Sequence, residues 1–106
     1  MIKVNIHEND DGRVVSFNMS GHADFDEYGK DIVCAGASAV VFGNVNAIIS
    51  MTDADPDIKL DDDGGYLQFS VENPNDEKLQ TLLEAMIISL KTIEEEYNDY
   101  IRIEYM

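Results

Sequence analysis

A chain of 106 residues with 44% apolar content has room for one hydrophobic core, so a single domain over residues 1–106 is expected and a disordered chain is excluded. Against 7 basic side chains stand 22 acidic ones, for a formal net charge of −15. That charge repels phosphate backbones and anionic lipid, which disfavours nucleic-acid and membrane partners and favours a basic one.

No run reads as the ~20 apolar residues that span a bilayer, and no basic-then-apolar leader opens the sequence. A soluble, cytoplasmic protein is expected. The lone Cys34 cannot close an internal disulfide, which suits a reducing compartment. Residues 1–52 carry 7 acidic and 3 basic groups, residues 53–106 carry 15 and 4. Both halves show core patterning, so the excess reads as an acidic face.

Ile2, Val4 and Ile6 alternate with Lys3, Asn5 and His7, the period of a half-buried strand. Asn9-Asp10-Asp11-Gly12 reads as a turn, after which Val15, Phe17 and Met19 resume the alternation as a hairpin. Residues 20–30 lack periodicity and carry Gly21 and Gly29. They form a loop. From Asp31, a plausible N-cap, the spacing of Ser38, Val41, Val45, Ile48, Ile49 and Met51 or Thr52 predicts a helix.

A connection follows over residues 53–57. Ile58 to Leu60 and Tyr66 to Val71 then read as a second hairpin around Asp63-Gly64-Gly65. Leu79, Leu82, Leu83, Met86, Ile87, Leu90, Ile93 and Tyr97 make one apolar stripe of a second helix, ended at Asn98 or Asp99. Ile101, Ile103 and Tyr105 alternate as a last strand. The order is ββαββαβ. The economical architecture is α+β, a two-layer sandwich of a mostly antiparallel sheet with both helices on one face.

Cys34 is the candidate nucleophile. Capping at Asp31 places it in the first helical turn, where unpaired N–H groups and the helix dipole favour an anion. His22 lies across the loop, close enough along the chain for a Cys–His contact. The small residues Ala35, Gly36, Ala37, Ser38 and Ala39 leave the sulfur and adjacent N–H groups accessible, a natural oxyanion hole. Ser38 shares a helical face with Cys34. Phe25, Tyr28 and Gly29 are candidates for a substrate lid. The plainer reading makes Cys34 a passive core thiol, His22 an unrelated loop residue and the small residues a packing device.

The stretch GHADFDEYGKDIVCAGASA carries a family likeness. Gly21-His22-Ala23, Gly29, Asp31-Ile32-Val33-Cys34-Ala35 and Ser38-Ala39 resemble the signature of the ribosomal-processing cysteine protease (Prp) family, and the element order and length resemble it over the whole chain. Gly36 departs, standing where many relatives carry alanine. The resemblance implies a small cytoplasmic, homodimeric cysteine endopeptidase that needs no cofactor. Its implied partner is a basic substrate, large-subunit ribosomal protein twenty-seven, from which it removes an N-terminal extension after an aromatic pair. It further implies Cys34 as nucleophile and His22 as general base, with supporting roles for Asp31, Ser38 and Gly21. Asp24, Asp26 and Asp31 are candidates to orient His22 by proximity alone, and a two-residue dyad is equally feasible.

Other signals fail. Asp53-x-Asp55-x-Asp57 opens like a calcium loop, but Ile58 holds the glycine position and Gly64 the final glutamate position. His7 has no ligand-spaced neighbour, so no metal site is expected. Glu94-Glu95-Glu96 reads as a solvated face. Two readings compete with the protease: a non-catalytic acidic binding module, such as an assembly chaperone for a basic ribosomal protein, and a thiol hydrolase for small acyl substrates.

Overall fold

The computed structural model describes residues 1–27 and 29–106; Tyr28, a candidate lid residue, lies outside the described residues. The elements run β1 (Ile2–Glu8), β2 (Val14–Ser20), α1 (Ile32–Met51), β3 (Asp57–Leu60), β4 (Tyr66–Ser70), α2 (Glu77–Tyr97) and β5 (Ile101–Tyr105). The expected ββαββαβ order holds, and the fold is α+β.

The five strands form one sheet in the order β3-β4-β2-β1-β5. Its pairs are antiparallel except β1 with β5, which run parallel. The parallel pair follows from α2 returning the chain past β1 before β5 is laid down. Ile2, Val4 and Ile6 of β1, Phe17 of β2, and Leu67 and Phe69 of β4 are buried. They meet Leu79, Leu83, Met86 and Leu90 of α2 in one core. Phe17 and Phe69 stack with centroids 5.1 Å apart.

A bulge corrects the alternation expected in β2. His7 pairs with Ser16 but Glu8 pairs with Val14, so Val15 is the extra residue. The extra residue inverts the phase, and Val14, not Val15, enters the core. Buried Gln80 of α2 fastens this end of the hairpin. It accepts from the Val14 N–H at 2.9 Å and donates to the Val14 carbonyl at 2.9 Å.

The buried stripe of α1 is Val33, Ala37, Val41, Val45 and Ile48. Ser38, Ile49 and Met51, expected on that stripe, are exposed. The spacing from Val33 keeps four-residue steps that the small Ala37 hides from a hydropathy reading. The expectation that no run reaches bilayer length also needs correction. The 20-residue α1 contains an 18-residue window of mean hydropathy 1.9, so it is long and apolar enough to cross a membrane by length and composition. Here its buried stripe belongs to the same core as the sheet.

Glu94 is not simply solvated. Its Oε2 accepts from the Ile103 N–H of β5 at 2.8 Å. That contact satisfies part of a sheet edge that would otherwise present unpaired groups.

Candidate active site

The loop between β2 and α1 is shaped by positions that only certain residues tolerate. Gly21 takes φ +85°, and an added Cβ there would overlap the Met1 carbonyl oxygen. Left-handed backbone and close approach both require glycine. The Gly21 N–H donates to the Gly65 carbonyl at 3.0 Å, which ties the loop to the turn between β3 and β4.

His22 follows and is exposed. A Cβ built on Gly65 would lie 3.1 Å from His22 Nε2 and 3.2 Å from Asp63 Oδ1. The imidazole therefore rests against the bare Gly65 backbone, with the Asp63 carboxylate nearby. Ala23 then turns inward to 2% exposure, and its N–H donates to Cys34 Sγ at 3.2 Å. That single bond joins the residue after His22 to the candidate nucleophile.

Asp31 organises the other half of the loop. Its Oδ1 accepts from Val33 and Cys34 N–H at 3.0 Å each, capping α1. Its Oδ2 accepts from Phe25 at 2.9 Å and Asp26 at 3.3 Å. Burial pushes the Asp31 carboxyl up, but these four donors outweigh it and hold it below the ordinary carboxylate value. The Phe25 ring packs edge-on against Tyr97 and Tyr100, with centroids 5.5 and 5.0 Å away. The loop is thereby docked onto the end of α2.

This capping corrects the expected oxyanion hole. The Val33 and Cys34 N–H groups are taken by Asp31, and the Ala35 N–H donates to the Asp31 carbonyl at 3.0 Å. Those three N–H groups of the first turn are already engaged. The backbone donor that faces the sulfur is Ala23.

Cys34 is half-buried and opens into a cleft of about 700 Å³. His22, Gly21, Gly29, Asp31 and Ser38 line the same cleft. Ile2, Met19 and Phe42 give it apolar walls, while Asp24, Asp26 and Asp63 give it acidic ones. Sequence reasoning singled out His22, Cys34, Asp31 and Ser38, which line one cleft. It missed Asp63, Gly64 and Gly65, whose Asp-Gly-Gly run reads as an ordinary hairpin turn and becomes part of the site only through the pairing of β4 with β2. Among the described residues no group of three or more His, Cys, Asp or Glu is arranged to hold a metal.

A thiol and an imidazole open onto one cleft with partly apolar walls, an arrangement compatible with a cysteine protease. The chain belongs to the cysteine protease Prp family, whose model matches residues 1–102. It is 54% identical over 105 residues to the ribosomal processing cysteine protease Prp of Staphylococcus aureus, covering 99% of each chain. To the protein of that name from Bacillus subtilis it is 45% identical over 107 residues, covering 97% of this chain and 96% of the relative. Its fold is similar to the crystal structure of the S. aureus protease in complex with a covalently linked product peptide, with a TM-score of 0.98, 54% identity and full coverage of both chains.

Proposed function

We propose that this protease trims a ribosomal protein, removing the N-terminal extension of large-subunit ribosomal protein twenty-seven after an aromatic pair. Cys34 is the nucleophile and His22 the general base and acid. The observation that carries this reading is the convergence of His22 and Cys34 on one cleft, joined through the Ala23 N–H. Relatives named for ribosomal processing, and a relative seen with a covalently linked product peptide, support it.

The chemistry follows from the groups present. His22 takes the Cys34 proton, and the thiolate attacks the scissile carbonyl. The C–S bond forms as the carbonyl π pair moves to oxygen. The Ala23 N–H, already aimed at the sulfur, is the nearest backbone donor for the negative charge that moves from sulfur to that oxygen. Collapse of the intermediate breaks the C–N bond, and His22 imidazolium protonates the leaving amine. Water, deprotonated by His22, then releases the thioester.

Asp31 and Ser38 support this site, Asp31 as the cap that fixes Cys34 and Ser38 as an exposed hydroxyl on the cleft wall. Gly21 supplies the backbone shape before His22. Phe25 and Gly29 belong to a lid over the bound peptide. Phe25 is latched on Tyr97 and Tyr100, so peptide entry exchanges that contact for one with substrate. The acidic cleft walls favour the basic chain of a ribosomal protein. The protein works in the cytoplasm as a homodimer, without nucleic acid, membrane or cofactor. The exposed apolar side chains Ile49 and Ile88 on the two helices support a second copy as partner. Incubation with the extended ribosomal protein, read by intact mass, tests the reading.

A further inference from the structure

The turn between β3 and β4 is the part of the cleft that the mechanism leaves without a task. Asp63 Oδ1 accepts from the Gly65 N–H at 2.8 Å, which anchors the carboxylate. The Gly65 carbonyl accepts from the Gly21 N–H at 3.0 Å, which anchors the backbone entering His22. Between these fixed points the imidazole lies on the Gly65 Cα, where an added Cβ would approach Nε2 to 3.1 Å. The backbone of Gly65 lies outside the left-handed region, unlike that of Gly64 at φ +76°. Conformational freedom therefore does not explain the glycine at 65. Contact with the imidazole does.

We propose that Gly65 is a positioning residue for His22: its missing side chain leaves the surface on which the imidazole is seated for proton transfer with Cys34. The inference rests on His22 being the base. A methyl group at 65 crowds both Asp63 Oδ1 and His22 Nε2. Asp63 is held by its bond to the Gly65 N–H, whereas the imidazole is exposed and hinged at two side-chain torsions, so the imidazole moves. Misplacement of a reacting group by about 1 Å costs on the order of a hundredfold in rate, and a shift of a few tenths of an ångström costs correspondingly less.

The test compares Gly65→Ala and Gly65→Val with the native protein on a peptide spanning the extension junction. Expected are a kcat about tenfold lower for Ala and lower again for Val, with KM within about twofold, because proton transfer and not substrate seating is affected. Gly12→Ala, in the remote β1–β2 turn at φ +78°, serves as a strain control and leaves kcat of the folded protein unchanged. Native kcat in folded Gly65→Ala, or a raised KM alone, overturns the inference. Should neither variant fold, the native chain decides. A nuclear Overhauser contact between a His22 ring proton and Gly65 Hα supports the seat, and its absence removes it. His22→Ala and Cys34→Ala run alongside separate the two failures. Cleavage by either breaks the dyad reading, whereas two inactive dyad variants beside a fully active Gly65→Ala break only this inference.

Discussion

The backbone N–H of Ala23 donates to Cys34 Sγ at 3.2 Å. His22 and Cys34 are thereby linked through one residue. Cys34→Ala leaves the buried Ala23 N–H without its acceptor, a loss of about 1–3 kcal/mol, which urea denaturation reads directly. Cys34→Ser retains an oxygen acceptor and is expected to lose less. Cleavage should fall by more than about a thousandfold in Cys34→Ala and in His22→Ala, since the two act as a unit. Cys34→Ser should also be severely impaired, because a hydroxyl is a far weaker nucleophile than a thiolate near neutral pH.

Asp31 couples the site to pH. Its folded carboxyl lies below its ordinary value, so the unfolded chain binds the proton more tightly. Its contribution is therefore complete above the unfolded value of about 3.9 and is lost as pH falls through the lower folded value. Asp31→Asn cannot ionise. The stability gap between the native chain and Asp31→Asn should be widest near neutral pH and narrow in acid, as read by denaturation at pH 7 and pH 3. Asp31→Ala removes the cap and the oxygen that accepts from both loop amides, and should cost at least the upper end of the about 0.5–2 kcal/mol of an ordinary N-cap.

Two glycines should answer alanine in opposite directions. Gly36 is helical, and a Cβ there would meet Ile93 Cδ1 at an ordinary 3.6 Å. Gly36→Ala should stabilise by about 0.5–1 kcal/mol. Gly21→Ala forces a side chain into φ +85° and onto the Met1 carbonyl. It should lose more than the about 1–2 kcal/mol of left-handed strain alone. Thermal unfolding of the two variants measures both signs.

The fold was legible wherever side-chain period decided it. The β1 alternation, the α2 stripe and the Asp31 cap are local patterns, and local physics settles them. The inverted phase at Val14 was hidden because a bulge leaves no mark in composition. Val41, Val45 and Ile48 of the α1 stripe were legible, whereas Ala37 was not, because it is buried by contact and not by its own hydropathy. Within the site, His22, Asp31 and Cys34 stand in one continuous motif, so sequence reaches them. Asp63 and Gly65 arrive only when β4 pairs with β2, a relationship that separation along the chain conceals. The engagement of the first-turn N–H groups was hidden for a similar reason. A cap that uses up Val33 and Cys34 N–H groups is a matter of side-chain geometry.

The loop should show two kinds of exchange. Ala23, Phe25 and Asp26 amides each donate within the site, so in the free protein they should exchange more slowly than Asp24. A saturating peptide carrying the aromatic pair should add protection across residues 23–27 if the segment closes over substrate. His22→Ala is the variant to use, since it keeps the sulfur acceptor while suppressing turnover. Equal protection with and without peptide would show that the segment is a fixed wall.

The most direct test of the central claim is a rapid-quench reaction of the native protein with the extended ribosomal protein, followed by intact mass. The account predicts a transient adduct equal to the extension joined as a thioester at Cys34, followed by free extension and mature protein cut after the aromatic pair. Folded Cys34→Ala should give neither adduct nor product. Product formation by folded Cys34→Ala, or an adduct mapped to any residue other than Cys34, would contradict the account.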